Sequence, residues 1–539
     1  MEEEIAGKLR NGALTVVQRP TGKRIMRSKW VYAIKYNLDG SIERIKAQLV
    51  ACGCSQTPDE YKKLFAATLP GVSCRFLFAI IADEDLETDS IDAVKAFTQA
   101  NVDCELYVEM AQGFSVPGYV LKLDKALEGI RQGAALWFDH NRKALTQCGF
   151  ESWMNEPNLY IHPTYKFRIG VFMDDVLAGY RRDLEDEYRK FKKAYSVMIN
   201  IGNLDISPCI KFTGMQVERD RRERTITLHQ ARYIEQMAEE FKGQFELQDT
   251  PHGNTKEAWK KFENLSPADE KDKIPMNKYL EVVGKIAWPS NMTRPDISYN
   301  VSRLCCFSHC AGQQHMDAAF IVMGYLVKTK HFGITFGGKL RPPYGLTEMP
   351  PGYFESRGLW IAHDASWGGE PKPMAGHVVM WLNGPLIWHS NLLRVIAQST
   401  CEAETSEASR AAKTGMFCRN LLAYYGIKLG GATPLFGDNR AMFDLLNLEG
   451  ASVRTRYFER ATLFVKRAVQ LLVFVPHLVR TSDCVADIFT KATDKATFVK
   501  FRNVIMNNQS SLKSVLEHSL LGLHGASKRM AEHLLAKLF

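Results

Sequence analysis

The sequence predicts an α/β chain with mixed sheets, in which two strand-rich segments flank a mostly helical one. Three observations predict it. Short apolar runs bounded by turn residues alternate with runs of helical spacing in both halves of the chain. Residues 276–336 read as mostly helical, and the Pro/Gly-rich stretch 341–352 (RPPYGLTEMPPG) is the best domain boundary. A length of 539 residues has room for three or four domains.

The elements follow in order. Residues 29–52 read as two strands about a turn, with Asp39-Gly40 as a strong hairpin signal. Phe76, Leu77, Ile80 and Ile81 stand at helical spacing and predict a helix over 73–84. A strand carries Ile91-Asp92, a helix covers 127–147, a hairpin spans 157–180, and helices follow at 184–198 and 229–241. The polar, Lys/Glu-rich stretch 250–275 reads as a linker. Beyond 352 a second α/β pattern runs to about residue 505. Its strand Leu359–Asp364 precedes a hairpin with Asn383-Gly384 at its turn, and a helix starts at Ser399-Thr400, a natural N-cap. Strands then end at Asp438 and Val479, and Asp487 stands early in a helix. The tail, 510–539, has amphipathic helical spacing.

Composition sets outer limits. The chain is 45% hydrophobic and 24% charged, ordinary for a globular protein, and its net charge of +9 permits a polyanionic partner without requiring one. Twelve cysteines are scattered with no CxxC pair, which suits a reducing compartment. The cluster Cys305, Cys306, His309, Cys310 and His315 fits no common zinc spacing and reads as helix core. The acidic start lacks a signal-peptide core, and no apolar run reaches the roughly 18 residues of a membrane span. The expectation is an intracellular, cytoplasmic protein with no membrane partner.

Two sets of acids carry the chemistry. Asp92 ends the strand in Ser90-Ile-Asp-Ala-Val-Lys-Ala-Phe97, and Asp174 and Asp175 sit in Val171-Phe-Met-Asp-Asp-Val-Leu-Ala-Gly179. Adjacent anions at a hairpin turn repel and need a compensating cation. Phosphoryl transfer supplies the reason, because a pair of Mg²⁺ ions roughly 3.5–4 Å apart needs bridging carboxylates. The second set is Asp364 at a strand end, Glu404 on a helix, Asp438 at another strand end and Asp487. Acids from such different elements can converge on one sheet edge, as a two-metal nuclease requires. Glu402 is the alternative to Glu404, since residues two apart cannot share a helix face.

The surrounding segments decide between a functional reading and chance. In order, Ile45-Lys-Ala-Gln-Leu-Val-Ala51 is similar to a YKARLVA pattern, Phe65-Ala66 with Arg75 to FAPV…R, and Asp92 with Phe97 to DVKTAF. Ile130-Arg-Gln-Gly-Ala-Ala-Leu-Trp-Phe138 is similar to LKQAPRAWY, Phe172-Met-Asp-Asp175 to YVDD, Lys211-Phe-Thr-Gly214 to KYFLG and Tyr325–Lys330 to YLKGTK, while Thr293–Ile297 reproduces TRPDI. Later, Ala362–Trp367 is similar to YSDADW, Ser399–Thr405 to SSTEAEY, Gly437–Arg440 to CDNQ and Val485–Lys491 to LADILTK. Together these resemble the copia-type (Ty1/copia) LTR retrotransposon polyproteins, in their reverse transcriptase and RNase H region, over residues 25–500.

The resemblance implies reverse transcriptase fingers and palm over 25–245 after an N-terminal extension, 1–24. A linker and helical thumb/connection follow over 246–340, then an RNase H-like mixed-sheet domain over 353–505 and a helical tail, 506–539. It implies an RNA-directed DNA polymerase with ribonuclease H activity. Asp92, Asp174 and Asp175 would hold one pair of Mg²⁺ ions, and Asp364, Glu404, Asp438 and Asp487 a second, with Mn²⁺ as a substitute. Phe97 would exclude a 2′-OH, or else serve as plain core. Gln132 would lie against the nascent base pair or incoming nucleotide, and Lys46 would help neutralise the triphosphate. RNA template, DNA primer, RNA–DNA hybrid and dNTPs would be the partners, inside a virus-like particle. The chain departs from the pattern at Gln48, Ala134-Ala135, Tyr457 and Leu463, where the family carries Arg, Pro-Arg and two histidines. These departures support the alternative of a catalytically impaired remnant that only binds nucleic acid.

Overall fold

Two bodies divide the chain in the computed structural model, which describes residues 1–36, 42–343, 349, 352–367, 372–447 and 457–507. The first is Met1–Ser73 with Leu86–Cys209, and the second is Cys74–Asp85 with the chain from Ile210 onward. The Asp39-Gly40 turn and the expected tail helix lie outside the described residues.

The first body is built on a five-stranded antiparallel sheet. Its order is Glu87–Asp92, Asp175–Tyr180, Arg168–Phe172, Glu156–Ile161 and Glu151–Trp153. Alternate residues of these strands bury Ile91, Ile169, Val171 and Val176 in one core with Trp137, Tyr188 and Tyr195. The last three come from the helices Gly133–Gln147 and Glu185–Met198, whose apolar residues recur at helical spacing. Buried Asp89 is neutralised by Lys192 Nζ at 2.8 Å and accepts from the Tyr188 hydroxyl at 2.7 Å. A three-stranded sheet, Leu14–Gln18, Tyr119–Lys125 and Asn101–Val108, and the hairpin Ser28–Tyr36/Ile42–Ala51 complete this body. The helix expected from 127 begins at Gly133 instead. Gly129 has φ +94°, and a Cβ there would lie 2.1 Å from the Ala51 carbonyl oxygen, so the chain turns tightly before the helix starts.

The second body holds two sheets and a set of helices. Strands Lys211–Phe212, Met215–Asp220, Thr225–His229 and Gly333–Gly337 form an antiparallel sheet. This pairing draws residues 210–245, expected with the fingers and palm, into the second body. The expected linker 250–275 is folded: it carries the helix Lys256–Glu263, buries Phe262 and Leu265, and anchors His252 Nε2 on the Thr493 carbonyl at 2.8 Å. Helices Met276–Met292, Ser298–Cys305 and Gln313–Lys328 follow. Buried Arg294 joins them, bonding both oxygens of Asp296 at 2.9 and 2.8 Å and the Thr329 carbonyl at 3.0 Å. His315 accepts from the Gly312 amide at 3.0 Å and packs on Phe307 as a core residue, but Cys305, Cys306 and His309 are exposed and Cys310 is half-buried, so most of the cluster expected in the core lies at the surface, where the Ser298–Cys305 helix ends.

The remaining sheet is mixed. Its order is Gly384–Leu392, Met374–Trp381, Trp360–Ser366, Thr433–Gly437 and Phe474–Leu478. The first three strands are antiparallel, and the last two run parallel to the central one. The helix Thr400–Tyr424 packs on this sheet. Gly415 permits the approach, since a Cβ there would meet Ile361 at 2.3 Å and Phe474 at 3.0 Å. The expected Asn383-Gly384 turn is shifted by one residue. Trp381 pairs with Gly384, so Leu382 (φ +53°) and Asn383 (φ +64°) make the two-residue turn. Gly384 instead admits Phe336, whose ring would lie 2.4 Å from a Cβ.

Candidate active sites

The first acid set sits where two antiparallel strands meet. Asp92 closes the Glu87–Asp92 strand, Asp175 opens its neighbour, and the register places them directly opposite each other. Phe172 also pairs with Asp175, so Met173 and Asp174 form the turn, with Met173 left-handed at φ +56°. The turn is pinned twice. Trp137 Nε1 donates to the Met173 carbonyl at 2.7 Å, and the Ala93 amide donates to the Asp174 carbonyl at 3.0 Å. Asp92 and Asp174 are exposed and Asp175 is half-buried. Like charges opposed across strands are destabilising unless a cation sits between them.

The neighbouring residues divide. Phe97 lies on the short helix Ala96–Gln99, half-buried, and packs on the two core clusters of this body. Lys46 is exposed on its strand opposite Ala33, and Gln48 lies opposite Val31. Gln132, expected beside the nascent base pair or incoming nucleotide, is fully buried. It accepts from Gln56 Nε2 at 3.0 Å and donates to the Glu60 carbonyl at 2.9 Å, which ties down the loop 53–60. Backbone carbonyls of that loop also accept from Arg131.

The second set converges more tightly. Asp364 lies on the central strand, and Asp438 follows the end of the parallel Thr433–Gly437 strand. Asp487 lies in the short helix Val485–Phe489. One oxygen of each, with Cys484 Sγ, falls within 4.8 Å of the others. Glu404 faces Asp364 and Asp438, and burial together with their charges holds its carboxyl well above the usual range. Burial, then the Asp364 charge, raises Asp438 and lifts Asp487 to about 7. Glu404 Oε2 and Asp487 Oδ1 are buried without a hydrogen-bond partner. Four crowded carboxylates with orphaned oxygens, set beside the Cys484 thiol, fit hard divalent cations such as Mg²⁺ or Mn²⁺. Glu402 is occupied elsewhere: its carboxylate accepts from the Gln398 amide at 2.8 Å while its own amide donates to Ser399 Oγ at 3.2 Å.

Sequence reasoning passed over four neighbours of this set. Thr490 donates its hydroxyl to Asp364, and Lys491 Nζ lies 3.0 Å from Asp487. Their signal was present, since both stand three and four residues after Asp487 in the Val485–Lys491 segment. Cys484 and His363 had none. Burial keeps the Cys484 thiol protonated, and His363 Nδ1 lies 3.5 Å from Glu404. Of the departing positions, Tyr457 and Leu463 are exposed.

Residues 11–250 match the family model described as reverse transcriptase (RNA-dependent DNA polymerase). A putative transposon Ty5-1 protein of Saccharomyces cerevisiae is 30% identical over 333 residues, covering 59% of this chain and 98% of that protein. The retrovirus-related Pol polyprotein from transposon TNT 1-94 of Nicotiana tabacum is 26% identical over 517 residues, covering 92% of this chain and 37% of the relative. The corresponding polyprotein from transposon RE1 of Arabidopsis thaliana is 26% identical, covering 94% and 33%. A solved foamy viral protease-reverse transcriptase in complex with dsDNA aligns at a TM-score of 0.42 and 13% identity, covering 89% of this chain and 82% of that one. The chain belongs to the reverse transcriptase family. Within it, the chain belongs with the Ty1/copia-type transposon Pol polyproteins and spans about a third of the length of the plant relatives. Among the described residues, no helix is long and apolar enough to cross a membrane.

Proposed function

We propose that this chain is an RNA-directed DNA polymerase joined to a ribonuclease H, each acting by two-metal phosphoryl transfer. The observation that carries the reading is the pairing of separate acid sets, one at the Asp92/Asp175 strand register and one around Asp364. Asp92, Asp174 and Asp175 would hold Mg²⁺ for synthesis, and Asp364, Glu404, Asp438 and Asp487 would hold it for hybrid cleavage. Bound there, the ions would activate the attacking oxygen and stabilise the leaving one.

The chain's own side chains do the rest. Trp137 holds the 173–174 turn and would thereby fix the backbone that carries Asp174 and Asp175. Phe97 presents its exposed edge where a 2′-OH would sit and so favours dNTPs. Lys46 offers its ammonium to the triphosphate. Gln132 acts from below by fixing the loop 53–60. In the nuclease, Thr490 orients Asp364, and Lys491 partly offsets the charge on Asp487. RNA template, DNA primer, RNA–DNA hybrid and dNTPs are the partners on this reading, with the thumb/connection over 246–340 and the nuclease over 353–505. The protein would act in the cytoplasm, within a virus-like particle.

A paired assay on one labelled RNA–DNA hybrid tests the reading. Asp364→Asn keeps shape and removes one anion, so RNA cleavage should be lost while primer extension persists. Asp174→Asn should do the reverse. Cleavage that survives Asp364→Asn would remove the nuclease assignment. If the unmodified protein binds hybrid with steep salt dependence but performs neither reaction, it is a nucleic-acid-binding remnant.

A further inference from the structure

A cavity of about 640 Å³ in the second body lies between the Ser298–Cys305 helix, the exit of the Gly384–Leu392 edge strand and the Thr400–Tyr424 helix. Its walls carry Arg394, Arg410 and Lys413 together with Ser302, Ser406 and Asn391, and no carboxylate. Ser406, Arg410 and Lys413 stand at i, i+4 and i+7 on one helix, so they share a face. Arg394 and Lys413 are exposed, and no carboxylate among the described residues pairs with them. Arg410 is held from beneath. Its guanidinium lies 2.8 Å from Glu407, whose fully buried carboxylate also bonds His377 Nδ1 at 2.6 Å. A guanidinium anchored on one side presents its other N–H donors in a fixed direction, which suits a phosphate oxygen.

The position of this groove indicates what fills it. Leu392 lines both this cavity and a neighbouring one of about 420 Å³. The neighbour's wall includes Thr490 and Lys491, the residues set against Asp364 and Asp487. The same short helix borders both, through Ser302 in one and Tyr299 and Arg303 in the other. A path therefore runs from the acids past Leu392 to the cations. A single anion can fill one cavity; a polymer with phosphates at regular intervals can occupy both.

We propose that Arg394, Arg410 and Lys413 form a backbone-phosphate site for a nucleic-acid strand whose continuation lies at the Asp364–Asp487 acids. The site rests on the nuclease reading for its substrate. It sets the position of the strand, with its cations acting at a distance from the bond that breaks.

The test uses the full chain, a fluorescently labelled RNA–DNA hybrid, and inorganic pyrophosphate as a small-anion probe. Arg394→Gln/Lys413→Gln removes two exposed charges, and Arg394→Lys/Lys413→Arg keeps them. Each lost phosphate contact should lower the slope of log affinity against log salt by about 0.9, so the double Gln variant should lose about 1.8. Between 50 and 200 mM salt its affinity should then fall about twelvefold less than that of the unmodified chain. KM for hybrid cleavage should rise, and the charge-keeping variant should restore both quantities. An unchanged slope in a Gln variant that melts like the parent overturns the proposal. So does loss of pyrophosphate binding with hybrid binding intact, which would mark a small-anion site. An unmodified chain that binds no hybrid defeats the nuclease reading instead, and this site falls with it.

Discussion

Asp487→Asn should stabilise the metal-free protein while abolishing hybrid cleavage. Burial, then the Asp364 charge, raises the Asp487 carboxyl from 3.8 to about 7, and the Lys491 ammonium at 3.0 Å offsets only part of that. The native state therefore binds this proton more tightly than the unfolded chain does. Native stability falls as pH rises through the interval from about 4 to about 7, and the loss is complete above it. At about 1.36 kcal/mol per pH unit, the ceiling is about 4 kcal/mol. One proton bound among these acids relieves its neighbours too, so a net figure of about 2 kcal/mol is expected. Asparagine carries no such cost. In EDTA, urea denaturation should show variant and parent close together at pH 4.5. The variant should be more stable by about 2 kcal/mol at pH 8.5. Adding Mg²⁺ at pH 8.5 should raise the parent's midpoint more than the variant's. A stability gap that does not widen with pH, or an Asn variant less stable at pH 8.5, would refute the argument that crowded charge strains this cluster.

Two further outcomes are expected. Phe97→Ala should raise incorporation of NTPs relative to dNTPs, measured by primer extension with each; unchanged discrimination in a variant that still polymerises makes Phe97 core alone. Arg294→Met leaves Asp296 charged in a site with 0% exposure for both side chains, and should cost about 3–5 kcal/mol in urea denaturation. Adding Asp296→Leu should recover part of it, and a single-variant cost under about 1 kcal/mol would contradict the ion-pair account.

Periodicity located the regular elements well where one face is buried. The helix expected over 73–84 is Gly71–Asp83, and the one expected over 184–198 is Glu185–Met198. The seven acids lay in patterns specific enough to name from sequence; Asp364, Asp438 and Asp487 come together, while the strand register sets Asp92 opposite Asp175 with Asp174 in the adjoining turn. What stayed hidden depends on partners far along the chain. Gln132 sits in a polar-looking segment, yet its burial follows from the loop 53–60 closing over it. Gly384 resembles a turn glycine, but its role is set by Phe336 in another sheet. The 250–275 stretch is charged overall, yet buried Phe262, Leu265 and His252 tie it down, together with backbone carbonyls that accept from Asn300, Arg303 and Gln314. Local composition carries no trace of such long-range contacts.

The Gly71–Asp83 helix has a consequence for how the protein is made. Phe76, Leu77, Phe78, Ala79, Ile80 and Ile81 are all 0% exposed. Phe76 stacks on Trp381, and Arg75 Nε donates to the Leu386 carbonyl across 311 residues of chain. During translation this greasy segment emerges long before the strands that cover it. At about 5–20 residues per second the wait is roughly 15–60 s. Throughout it the nascent polypeptide displays a run of aromatic and aliphatic side chains, the kind of surface that chaperones bind. A protein cut after residue 209 would keep that segment and never receive its cover, so such a fragment should aggregate when expressed alone.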